Sequence, residues 1–272
     1  MIHAHAHNCY LIPASIAIRN TRFTGNFCNA PQAIGGALLV SQLDSSPLET
    51  ITELVLVENC YFKDNTAPIG GAFRMAIRIV TLAMTGTIFR GNSAQGGSPA
   101  EIIPAIGGAI SLDQFLVGAQ ITESRFFGNT CRGTTTASAS PSGCAIITSD
   151  VPSLIINDSI FNKNRCIKTG GPPPDSSSLL TATSGGALES LRFVSISMLR
   201  NTFIRNSAEA GGAILLSPSG QANFTDVSFI RNRATPLFGG GAIYIDSIVS
   251  FERNDVVFRS NFPDDVGGPG DA

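Results

Sequence analysis

The chain has 272 residues, 43% of them hydrophobic, enough for a sizeable core in one or two globular domains or in one elongated repeat domain. Its 18 Lys and Arg stand against 20 Asp and Glu, and a net charge of −2 argues against a binder that releases nucleic-acid counterions. No apolar run approaches the ~18 residues of a membrane span.

The opening stretch, MIHAHAHNCYLIPAS, has neither a basic n-region nor a long apolar h-region, so it does not read as a secretory signal. His3, His5 and His7 alternate and would share one face of a strand. We read them as incidental to a terminal edge, with no metal and no cofactor expected. The first predicted strand follows, with Ile16 and Ile18 alternating toward Phe23 and Asn26.

That Phe-x-x-Asn recurs down the chain at Phe62/Asn65, Phe89/Asn92, Phe126/Asn129 and Phe161/Asn164. It returns at Phe203/Asn206, Phe229/Asn232 and Phe258/Asn261. Gly-Gly-Ala follows the copies, from Gly35-Gly36-Ala37 to Gly240-Gly241-Ala242, with one degenerate member, Gly143-Cys144-Ala145. The eighth Phe-x-x-Asn has none, and Asp264 and Asp265 are expected to be solvated acids past the last coil.

From the second Gly (or Cys144) to the next Phe the spacing is 26, 18, 18, 17, 17, 17 and 17 residues. From Asn to the first Gly it is 9, 5, 15, 14, 21, 5 and 8. The nearly constant arc must be packed and the variable arc must be surface loop. Apolar residues alternate within the constant arc, as in Ile110/Leu112 and Leu154/Ile156. Units of about 26 residues with three short strands and no helical period predict an all-β, right-handed parallel β-helix of seven to eight coils. Residues 1–272 form one such domain, read as a segment of a longer surface protein or fibre. Each Phe should point inward as a rung of a ladder. Each Asn should take the corner with φ > 0. Gly-Gly should turn the chain back into the coil.

Six cysteines, Cys9, Cys28, Cys60, Cys131, Cys144 and Cys166, are candidates for disulfides. Cys131 and Cys166 each lie two residues after the Asn of consecutive coils, so stacking brings them near bonding distance, with Cys144 a competing partner for Cys131. Cys60 is expected one coil above Cys28. At least one bridge is expected. Asn157 and Asn223 head N-glycosylation sequons and should face outward. The loops GTTTASASPSG and GGPPPDSSSLLTATSGG suit O-glycans.

Phe-x-x-Asn alternating with Gly-Gly-Ala and an aliphatic residue, over residues 16 to 261, resembles the repeat of the chlamydial polymorphic outer-membrane proteins. Related pectin-lyase-like β-helix repeats occur in surface proteins of other organisms, including algae. The resemblance implies a surface-displayed passenger, without the autotransporter barrel that follows it in that family. Pectin-degrading β-helices need acids clustered on one face, and the strands show no such cluster.

These readings converge on a non-enzymatic extracellular structural or surface β-helix, which pairs end to end with itself in a glycosylated filament. The alternative is an adhesin or glycan-binding passenger that meets glycans or cell-surface partners through its variable loops. A polysaccharide lyase or hydrolase is a third reading. No nucleic-acid partner is expected.

Overall fold

The computed structural model describes residues 14–28, 34–41, 52–76, 80–96, 105–113, 116–134, 140–170, 182–217, 220–245 and 249–268. The described residues contain strands, turns and bends but no helix, hence none long and apolar enough to cross a membrane. The strands stack into three eight-stranded parallel sheets and one four-stranded sheet. The protein is an all-β parallel β-helix of eight coils.

The first sheet begins with Ala14–Arg19 and ends with Val249–Asn254. A turn then leads into three-residue strands that centre on the repeated Phe, such as Arg125–Phe127. The short sheet follows Asn and contains Thr130–Thr134 and Arg165–Gly170. The last sheet follows Gly-Gly-Ala and includes Ile146–Ser149 and Leu188–Leu191. Every strand pairs with its equivalent one coil away, so residues about 26 to 42 apart in sequence become neighbours.

The period of two within each strand gives one sealed and one open face. In Ser153–Asn157 the alternation is half-buried, buried, half-buried, buried, half-buried, with Leu154 and Ile156 inward. The repeated Phe residues stack from Phe23 to Phe258 with ring centroids 4.6 to 5.3 Å apart, close to the ~4.8 Å strand spacing. The six from Phe62 to Phe229 are fully buried.

The Asn position differs from expectation. The left-handed backbone belongs to the residue before it, for example Asp64 (φ 52°), Lys163 (φ 57°), Arg205 (φ 54°) and Arg231 (φ 55°), or to Gly91 and Gly128. That turn swings Asn inward. Asn65, Asn92, Asn129, Asn164 and Asn206 are fully buried. The same correction holds for Asn232, which was expected at the φ > 0 corner: it is buried, and Arg231 takes the turn in its place. Asn232 Nδ2 donates to Phe203 O at 3.0 Å and to Asn261 Oδ1 at 3.1 Å, bonds that an outward corner amide could not reach. Each amide bridges coils in this way. Asn129 Nδ2 donates to Asn164 Oδ1 at 3.0 Å and to Phe89 O at 3.2 Å, while Asn129 Oδ1 accepts from Asn92 N and Nδ2 at 3.1 and 3.0 Å. A buried amide is tolerable only with such partners. The ladder runs on to Asn261, and at its other end Asn26 Nδ2 donates to Asn65 Oδ1 at 2.8 Å.

Gly-Gly is favoured at its corner for two reasons, although the fourth coil accommodates Cys144 at the second position. The first Gly is left-handed, as at Gly70 (φ 60°) and Gly107 (φ 62°). A Cβ on the second would strike the next coil: at Gly71 it would collide with Gly108 O and lie 2.6 Å from the Ser93 carbonyl carbon.

The eighth coil is more complete than the missing Gly-Gly-Ala suggested. Val266–Gly267 pairs with Ile243 and Tyr244. Asp264 Oδ1 accepts from Gly240 N at 2.6 Å and Gly241 N at 3.1 Å, and Asp265 O accepts from Ala242 N and Ile243 N. The two residues close the last coil rather than trail from it: the Asp264 carboxylate takes the corner amides and the Asp265 backbone carbonyl takes the next two, while the Asp265 side chain stays exposed.

Candidate functional site

The densest cluster of chemically distinctive groups lies between the short sheet and the Gly-Gly corner. Parallel register places Cys131 opposite Cys166. Cys144 occupies the second position of a Gly-Gly corner and faces both. The three sulfurs lie within 4.8 Å of one another, walled by Ala94, Ala105 and Ala208.

The bond joins Cys144 to Cys166, with Cα atoms 5.5 Å apart. Cys131 is free, and its Sγ donates to Ser142 O at 3.2 Å. The stacking of Cys131 on Cys166 is as expected, but the partner is not. In-register parallel side chains run side by side, holding their Cβ atoms near the strand spacing, whereas a disulfide brings them to about 3.8 Å. Cys144 approaches from a different corner, so its Cβ can converge on that of Cys166.

Cys28 and Cys60 are also free and do not stack. Cys60 sits before Phe62, where its Sγ donates to Ile18 O at 3.5 Å and Glu58 O at 3.3 Å. Cys28 follows Asn26, and its N–H donates to Thr66 O. They belong to different corners. Cys9 and the three histidines lie outside the described residues.

Glu189, on strand Leu188–Leu191, adds a buried acid next to this cluster. Its Oε1 accepts from Ser184 Oγ at 2.9 Å, while Oε2 has no partner. Burial raises its carboxyl above the ordinary glutamate range, against hydrogen bonds from Ser142 and Ser184. Burial also pushes the Cys131 thiol well above the usual range, opposed by hydrogen bonding at Gly108 and reinforced by Glu189. A thiol so protonated is a poor nucleophile. With the bridge reduced, three thiols at this spacing could ligate a soft cation; with it closed, two are consumed. The cluster's established chemistry is therefore a staple between coils.

Because its folded carboxyl titrates above the unfolded one, Glu189 is harmless below the unfolded value and costs stability as pH rises toward the folded value. We expect Glu189→Gln to raise stability at pH 7.5 and to change little at pH 4. Urea unfolding at the two pH values checks this; equal effects at both would contradict it.

The acids show an alignment that a strand-by-strand reading misses. At the turn before the Phe sheet, five consecutive coils carry Glu123, Asp158, Arg200, Asp226 and Asp255, all exposed. Arg200 Nε donates to Asp158 Oδ1 at 2.6 Å, and this bond lowers the pKa of Asp158. The signal was the position three residues before each Phe. Elsewhere burial raises the Asp113 carboxyl despite Arg74 at 2.9 Å.

Both sequon asparagines lie on the outer face of the first sheet. Asn223 is exposed; Asn157 is half-buried, and its Oδ1 is covered without a partner.

Comparison with family models, curated proteins and solved structures gave no match, so the class of protein rests on this geometry: a stapled parallel β-helix.

Proposed function

We propose that the chain is a non-enzymatic structural module of an extracellular surface, a rigid rod whose terminal coils stack on neighbouring coils. The observation that carries this reading is the state of the two terminal coils. Ile16, Ile18 and Phe23 in the first coil, and Phe251 and Phe258 in the last, are only partly buried, while the matching Phe positions of the six coils between are sealed. A further coil would cover them and extend the parallel sheets. The disulfide fits an oxidising compartment. The Asn223 sequon and the resemblance to surface-passenger repeats support extracellular display.

Head-to-tail contact of this kind is heterologous and yields an open filament unless rotation closes a ring. Sedimentation and negative-stain imaging over a concentration series test it. Rods longer than one eight-coil unit, growing with concentration, are expected. A monodisperse monomer throughout would refute end-to-end assembly. The second reading, an adhesive module, is favoured by a different observation, the distribution of cations around the rod.

A further inference from the structure

The net charge of −2 conceals a strong segregation. In every coil, take the six residues from the one before the repeated Phe to the one after the repeated Asn. These windows hold ten of the 18 basic residues and one of the 20 acids, Asp64. On the strands themselves stand Arg22 and Arg125 on one side of Phe, and Lys63, Arg90 and Arg259 on the other. At the left-handed corner, Lys163, Arg205 and Arg231 follow one another in three consecutive coils. Arg165 and Arg233 lie just beyond. Nine of the ten are exposed; Lys63 is half-buried. Among the described residues, Lys63 is the only one of the ten in an ion pair, with Asp64 at 3.3 Å.

We propose that this face docks a linear anionic polysaccharide, with its carboxylate or sulfate groups running along the axis of the rod. The proposal builds on the adhesive reading and is independent of end-to-end assembly. Three features favour this occupant. The first is spacing. The rungs beneath Lys163, Arg205 and Arg231 are 4.6 and 5.0 Å apart. A nucleic-acid strand presents a charge every ~3.4 Å in B-form, whereas an extended sugar chain advances by about one coil per unit. The second is donor chemistry. Eight of the ten cations are Arg, whose planar fork suits carboxylate and sulfate.

The third is a shallow trough of about 470 Å³ on this face, bordered by Arg90, Phe127, Asn162 and Lys163 and floored at the Gly91 and Gly128 corners. Asp64, its one acid, is the partner of Lys63. Asn162 Oδ1 is covered and has no hydrogen-bond partner. Phe127 offers a half-buried ring for an apolar sugar face. The occupant's path is bounded by the acidic row at the preceding corner and by Glu209 beyond the short sheet.

The test replaces Lys163, Arg205 and Arg231 together with glycine, the residue that coils one, three and four already carry at this corner. The fold therefore accepts the change. Binding is measured against heparin, polygalacturonate, neutral dextran and a single-stranded DNA of matched charge. The parent protein is expected to bind at least one acidic glycan, in a salt-sensitive way, and not dextran. The triple variant is expected to lose roughly tenfold or more in affinity with a shallower salt dependence. Arg192→Gln, at a different corner, should bind as the parent does. The proposal is overturned if neither acidic glycan binds at low salt, if the triple-glycine variant binds as well as the parent, or if the DNA binds more tightly than both glycans.

Discussion

Replacing Phe126 with alanine is expected to destabilise the protein by about 3–5 kcal/mol, the range for truncating a sealed aromatic. The ring is fully buried and stacks between Phe89 at 5.1 Å and Phe161 at 4.7 Å, with interplanar angles of 0° and 2°. Alanine would leave a ring-sized gap between two rungs that the coil spacing holds apart, so neither can slide in to fill it. Chemical denaturation of the variant, with hydrogen exchange to localise the loss, is the measurement. Phe258→Ala, in the partly open last coil, should cost less because its ring is only half-buried. Equal costs at the two sites, or a loss at Phe126 below about 1 kcal/mol, would contradict a continuous packed ladder.

Asn129→Ala should be comparably severe for a different reason. The amide is fully buried and joins three coils: it accepts from Asn92 and donates to Asn164 and Phe89. Its loss strands the Asn92 backbone N–H and one Asn92 Nδ2 hydrogen away from water. At about 1–3 kcal/mol for each unsatisfied group, a cost of about 2–6 kcal/mol follows. Asn129→Asp should restore the acceptor but not the donors, and so recover only part of it. Denaturant midpoints of the two variants decide the matter; an alanine variant as stable as the parent would mean that water or backbone shifts replace the ladder.

Much of the architecture is legible in the spacing of residues along the chain. An inward Phe at every turn leaves a period in the chain, and a period over-determines a solenoid. The strand alternation around Leu154 and Ile156 likewise appeared directly, because burial on one face of a sheet imposes a period of two. The Asn residues were recognisable as ladder positions, but their conformation was not. Lys163, Arg205 and Arg231, not Asn164, Asn206 and Asn232 after them, absorb the left-handed turn, since an inward amide with partners in two other coils outweighs the local preference of Asn for φ > 0. Cys60 does lie one coil from Cys28, but at a different corner, before Phe62, whereas Cys28 follows Asn26.

Spacing along the chain already carries the stacked β-helix, the register of its coils and the inward Phe ladder. Tertiary structure alone decided which cysteine takes Cys166, how Asp264 and Asp265 close the eighth coil, and where the charges gather. Each depends on direction as well as spacing. A bond needs converging Cβ atoms, and an acceptor must aim at particular amides. Net charge adds all faces together, whereas Lys163, Arg205 and Arg231, 42 and 26 residues apart, become one row only when the coils stack.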